Sequence, residues 1–120
     1  TVGGLAAQGI PAGLDGILMA NSLHYVNDQA TFICACEARM PSTRRFLVVE
    51  YDTHEASRWL PYPVPQTRLT ALFTAASYLS IRLLRSRPSV FRRAAIYAAF
   101  VTTSDLNPSA GNIARLDDQI

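Results

Sequence analysis

Apolar and polar positions alternate along this chain in short blocks. The clearest block is Asp15 to Val26, DGILMANSLHYV. An acid leads, Ile17-Leu18-Met19-Ala20 carries no charge, and Asn21-Ser22-Leu23-His24-Tyr25 forms a polar cluster. A short apolar run bounded by polar residues predicts a buried strand, most often in a parallel sheet. This first strand covers about residues 15–21. Asn27 or Asp28 then offers an N-cap, and the pattern predicts a helix to about Met40. Its inner stripe is Ile33, Cys36 and Met40, with Phe32 beside them. Pro41 stops it. Phe46 to Tyr51 reads as the second strand. Its Leu47-Val48-Val49 centre lacks alternation, which predicts a strand covered on both faces.

Residues 52–65 form a loop with Pro61, Pro63 and Pro65, each fixing its own φ and favouring extended backbone. A second helix follows over about Gln66 to Ser77, with Leu69, Leu72, Phe73 and Ala76 on one face. The third strand is about Tyr78 to Arg85, and Arg87-Pro88-Ser89 reads as a turn. The fourth strand, about Arg93 to Thr102, is rich in β-branched and aromatic residues. Residues 1–14 are a glycine-rich, uncharged lead-in, and 103–120 are a polar tail. The tail is expected to be mobile or to order against a partner. The domain reading is therefore one α/β domain over 1–102 followed by that tail.

Composition sharpens this picture in three places. A chain of 120 residues supports one domain with one core. Hydrophobic residues make up 49% of it, which leaves apolar surface for a partner. No run approaches the roughly 18 uncharged apolar residues of a membrane span, and no signal peptide is read. No membrane partner is expected. All eleven basic residues are arginine. Arg82, Arg85, Arg87, Arg92 and Arg93 cluster around one turn, but no recognition helix or aromatic platform accompanies them. They read as a solvated sheet end, and no nucleic-acid partner is expected. Cys34 and Cys36 stand two apart on a helix and cannot bridge. Free thiols point to a reducing compartment, the cytoplasm.

Candidate chemistry concentrates after the first strand. In open α/β sheets ligands bind just outside the carboxyl ends of the strands. Asn21, Ser22, His24 and Tyr25 sit there, either lining a pocket or simply capping the strand. Glu50 and Asp52 close the second strand, where a carboxylate could transfer a proton; solvation or an arginine partner is the commoner role. Ser22 with His24 lacks a nucleophile elbow and a third orienting group. His54-Glu55 lacks the second histidine of a zinc helix, and no metal site is expected. Trp59 and Tyr62, among the prolines, suit a lid or a rigid plug. No catalytic residue is assigned. The 120 residues contain no strand followed by a glycine-rich phosphate-binding turn.

Five segments, in order, resemble the carboxyl-terminal half of class I S-adenosylmethionine-dependent methyltransferases. Asp15 to Tyr25 is similar to that family's acid-led fourth strand ending in Leu-His plus an aromatic. Met40 to Glu50 is similar to its helix end, turn and fifth strand. Trp59-Leu60-Pro61-Tyr62-Pro63 resembles a loop in one bacterial branch. Thr74 to Ile81 and Ile96 to Phe100 resemble its last two strands with the preceding helix. The resemblance spans roughly residues 12–102. Ser42-Thr43 stands where the family has Gly-Gly, and Ser77 where it has the glycine before the sixth strand. Both departures suggest relaxed constraint or altered turns.

The resemblance implies half of a Rossmann-like sheet of about four mostly parallel strands with flanking helices. The implied spatial order is first, second, fourth, third, with the last strand antiparallel. It implies Asn21, Ser22 and His24 as cofactor-binding positions, without the glycine-rich half that supplies most contacts. The expectation is a methyltransferase-derived module that binds no cofactor as an isolated chain. The alternatives are a working methyltransferase, using S-adenosylmethionine, once an amino-terminal half or partner chain completes it, or a small-ligand-binding domain. In such a half-sheet, one edge of the Asp15–Asn21 strand is unpaired, a template for another chain. A homo-oligomer through that edge is expected, unless the lead-in or the tail folds over it.

Overall fold

The computed structural model describes residues 13–41, 43–89 and 94–103, and the backbone of 113–117. The chain forms β1 (Gly16–Ala20), a 3-10 turn (Leu23–Tyr25), α1 (Gln29–Glu37), β2 (Arg45–Tyr51) and α2 (Gln66–Ala75). β3 (Ser80–Pro88), β4 (Ala95–Thr102) and β5 (Ile113–Asp117) follow. The fold is α/β, with an open mixed sheet in the order β3-β4-β2-β1-β5. β1 runs parallel to β2, with Ile17 opposite Phe46 and Met19 opposite Val48. β4 runs antiparallel to both β2 and β3.

The connections step the same way along the sheet, from β1 to β2 and from β2 towards β3. Right-handed crossovers that step one way place their helices on one face. Both helices accordingly share a core with that face. Phe32, Ile33, Cys36 and Met40, around α1, and Leu69, Leu72 and Phe73, of α2, cluster with Ile17, Met19, Phe46, Val48, Ala99 and Val101. The Phe46 ring lies 5.3 Å from Phe73 and 5.9 Å from Tyr78, both tilted.

Both helices show their local causes. Asp28 caps α1 by accepting a hydrogen bond from the Thr31 backbone N–H at 3.1 Å. The cap holds Asp28 below its ordinary pKa, first through the Thr31 hydroxyl and then through that N–H. α1 ends at Glu37 rather than Met40, because the last turn tightens. Arg39 N–H donates to Cys36 and Met40 N–H to Glu37, each three residues back. Asp52 caps α2 from outside it, accepting from the Gln66 N–H and side-chain amide, both at 2.9 Å.

α2 closes with a Schellman arrangement. Ser77 N–H donates to Thr74 and Tyr78 N–H to Phe73, and the Phe73 and Tyr78 rings meet edge-on at 5.0 Å. The geometry requires a left-handed residue after the cap, and Ser77 supplies it at φ 69. The turn is therefore kept, with a serine bearing conformational strain that a glycine would not. Ser42, the other departure, lies outside the described residues.

Several expectations need correction. β2 does alternate: Phe46, Val48 and Glu50 are buried, while Leu47, Val49 and Tyr51 are half-buried. It is closed on one face, because no described helix lies across the other. β3 continues through Arg87-Pro88, which pairs with Ile96 and Ala95 instead of turning. It is an edge strand, where a missing proline N–H costs no ladder bond. Part of the expected tail forms β5, which pairs in parallel with β1 from Gly16 opposite Ile113 to Ala20 opposite Asp117. The edge of β1 that was expected to be open is thus paired within the chain.

Candidate functional site

Everything singled out in the first polar cluster gathers at the carboxyl ends of β1 and β2. Asn21 leaves β1 with φ 55, a left-handed conformation that asparagine tolerates. Its N–H donates to the Val49 carbonyl at 2.9 Å, tying it to β2. Its Oδ1 is buried and accepts no hydrogen bond. Ser22 is half-buried and precedes the 3-10 turn.

His24 does not face the crevice. It is 2% exposed, and its partner Glu50 is fully buried. His24 Nδ1 lies 2.7 Å from Glu50 Oε1, and the His24 backbone N–H donates to Oε2 at 3.1 Å. One carboxylate therefore holds both the ring and the backbone of the turn. The Tyr25 ring stands 4.3 Å from the imidazole and the Tyr51 ring 6.4 Å. Glu50 was expected to be solvated, paired with arginine or free for proton transfer. Its partner is a histidine, in a position closed to solvent.

The proline loop seals this pair. Tyr62 N–H donates to the His24 carbonyl at 3.0 Å. The buried Gln29 donates through Nε2 to the Leu23 and Tyr62 carbonyls, and Arg68 Nε donates to Gln29 Oε1. Leu60 and Val64 are buried beneath the loop, and the Tyr97 hydroxyl donates to the Val64 carbonyl at 2.5 Å. Burial first, then the negative charges of Glu50 and Asp52, push that hydroxyl above its ordinary range. Between lid and plug, the backbone acts as a plug. Trp59 points outward at 58% exposure, with the Arg58 guanidinium 5.6 Å from its ring.

A histidine oriented by a carboxylate is two-thirds of a general-base device. The missing third is a nucleophile: among the described residues no hydroxyl or thiol bonds the His24 ring. The pair consequently fixes the turn after β1 against the end of β2. Asn21 and Ser22 remain at the mouth, and Asn21 brings the unspent acceptor. His54 is exposed, 3.4 Å from the Thr67 hydroxyl. Among the described residues no three His, Cys, Asp or Glu side chains gather as a metal site. No described helix is long and apolar enough to cross a membrane.

Sequence reading placed Asn21, Ser22 and His24 together and missed the Glu50 partnership. The signal was present in β2. Counting by twos from Phe46 through Val48 puts Glu50 on the core face, and a buried carboxylate demands a partner. Gln29 and Asp52 carried no comparable signal, since their partners come from distant loops. Compared with protein-family models, with curated proteins and with solved structures, the chain gives no match.

Proposed function

We propose that this chain is one wing of a class I S-adenosylmethionine-dependent methyltransferase fold, a methyltransferase-derived module inactive by itself. The observation that carries the reading is topological. Strands β1, β2, β4 and β3 lie side by side in that order, β4 alone reversed, with both described helices on one face. This is the order that the resemblance implies. The left-handed Ser77 adds to it, standing where the family's glycine would be at ease. A doubly wound sheet covers its second face with helices from strands beyond the switch point. Here the second face of β1 and β2 carries half-buried Leu18, Leu47 and Val49.

The described residues fit S-adenosylmethionine on one side of the crevice only. A large polar ligand needs preorganised partners all around it. Asn21 offers one unsatisfied acceptor, while His24 is committed to Glu50 and faces inward. The isolated chain therefore binds no S-adenosylmethionine. A glycine-rich amino-terminal half, in the same or another chain, would restore a methyltransferase; the open second face favours this second reading. Calorimetry of the 120-residue chain with S-adenosylmethionine checks the proposal. No saturable heat is expected, and micromolar affinity would overturn it.

Self-association through the β1 edge completes the proposal, in altered form. Because β5 occupies that edge, two copies can meet there only by releasing or exchanging β5. Light scattering at high micromolar concentration should then give a dimer mass that Leu18→Lys abolishes. A monomer at that concentration, or a dimer indifferent to Leu18→Lys, contradicts it.

A further inference from the structure

A second candidate site lies on the face of the sheet away from the helices. Val49 of β2 and Ile96 and Ala98 of β4 line a depression of about 300 Å³, with Tyr97 completing it and Arg85 and Arg87 of β3 at its margin. The arginines are there because β3 is irregular. Arg82 pairs with Phe100 and Leu83 with Ala99, but Arg85, not Leu84, pairs with Ala98. One extra residue has entered the strand. Without it, alternation would turn Leu84 to this face and Arg85 to the other. With it, Arg82, Arg85 and Arg87 all share the face, at register positions opposite Phe100, Ala98 and Ile96. Bulges of this kind re-aim side chains, often beside functional sites.

The bulge has a visible cost. It leaves Leu84 exposed at 44% on the edge strand. A solvated sheet end needs arginines in no particular phase. Here three are brought into phase over an apolar floor. Arg85 and Arg87 form no ion pair or hydrogen bond with any described residue, and both are exposed. Two arginines without a partner among the described residues, their backbone positions about 6.6 Å apart along the strand, stand beside half-buried aliphatic side chains. Guanidinium forks match carboxylate and phosphate geometry. The apolar floor selects against small hydrated anions.

We propose that this depression binds a small organic anion, one with a flat apolar body and a carboxylate or phosphate head. The apolar body lies on Val49, Ile96 and Ala98, and the head is held by Arg85 and Arg87. The site is separate from the crevice at the strand ends.

The test is an amide-resolved NMR titration of the full chain with naphthoate, its neutral isostere naphthamide, and inorganic phosphate. Naphthoate should give saturable shifts centred on Val49, Ile96 and Ala98 at millimolar concentration or below. Arg85→Gln and Arg87→Gln should each weaken it about tenfold, the loss of one charge-assisted hydrogen bond. Both positions are exposed, so the variants' unperturbed spectra confirm folding. Arg68→Gln, on the helix face, should change nothing. Equal binding of naphthamide, equal binding of phosphate, unchanged affinity in both β3 variants, or no saturation would each overturn the proposal.

Discussion

Phe46, Val48 and Glu50 of β2 turn towards the helices, and Leu47, Val49 and Tyr51 turn away. The first three are buried and the second three half-buried, on one strand and one residue apart. The first face also holds Tyr97, Ala99 and Val101 of β4, all buried, opposite Glu50, Val48 and Phe46. The second holds Ile96 and Ala98, half-buried, and further along the strand Phe100 and Thr102, buried. Both faces are apolar, so hydrophobicity alone does not say which one is closed. Chain direction decides it. Two crossovers stepping the same way place both described helices on one face, and no described helix lies on the other. An apolar face without a described cover marks a surface meant to meet something.

The largest effects should come from the closed face. Glu50→Ala would strand the His24 donors in the core. Removing one partner of a buried pair costs about 3–5 kcal/mol, to be read as a lower urea midpoint. Phe46→Ala removes the ring between Phe73 and Tyr78 and should cost about 4 kcal/mol. On the open face, Leu47→Ala gives up only part of a leucine's burial and should cost less than about 2 kcal/mol. An equal cost at positions 46 and 47 would break the comparison, since it would mean that both faces are packed.

Alkaline pH should act on the closed face next. Burial pushes the Cys36 thiol from its ordinary 9.0 up to about 12. Burial also raises Tyr78, helped by its hydrogen bond to Glu37, and Tyr97. For each group the unfolded chain releases its proton first. The unfolded state then binds fewer protons than the native one, so stability falls as pH rises. For Cys36 the contribution is full below 9.0 and is lost towards about 12. Urea midpoints should therefore decline above pH 9.0, and Cys36→Ala should soften the onset. Iodoacetamide should label the exposed Cys34 and spare Cys36 in the folded chain. Equal labelling would show that α1 is not seated on the sheet.

The smallest effect sharpens the geometry of α2. Ser77→Gly relieves a left-handed serine and should stabilise by about 1 kcal/mol, seen as a higher thermal midpoint. No gain would mean that the turn after α2 is not left-handed.

Most of the elements were legible because each depends on local signals. The β1 apolar run, the Asp28 cap, the α2 stripe and the β4 composition each sit within a dozen residues. What escaped was set by partners far along the chain. Glu50 finds His24 across 26 positions, and Asp52 caps a helix that starts 14 residues later. The closed and open faces escaped because β2 is apolar on both, so alternation had no polar residue to show it before Glu50. β5 escaped because a polar tail has no pattern of its own until the edge of β1 pairs with it. The bulge in β3 escaped because one extra residue in Leu83-Leu84-Arg85 changes phase without changing composition.

The central claim is that the sheet face away from the helices, over Leu18, Leu47, Val49 and Ile96, is less covered than the helix face. Paramagnetic broadening of methyl signals by a soluble gadolinium chelate tests it directly. Leu18, Leu47, Val49 and Ile96 should broaden, while Met19, Val48 and Val101 stay sharp. Equal protection of both sets would contradict the account, because the sheet would then be closed on both faces within this chain.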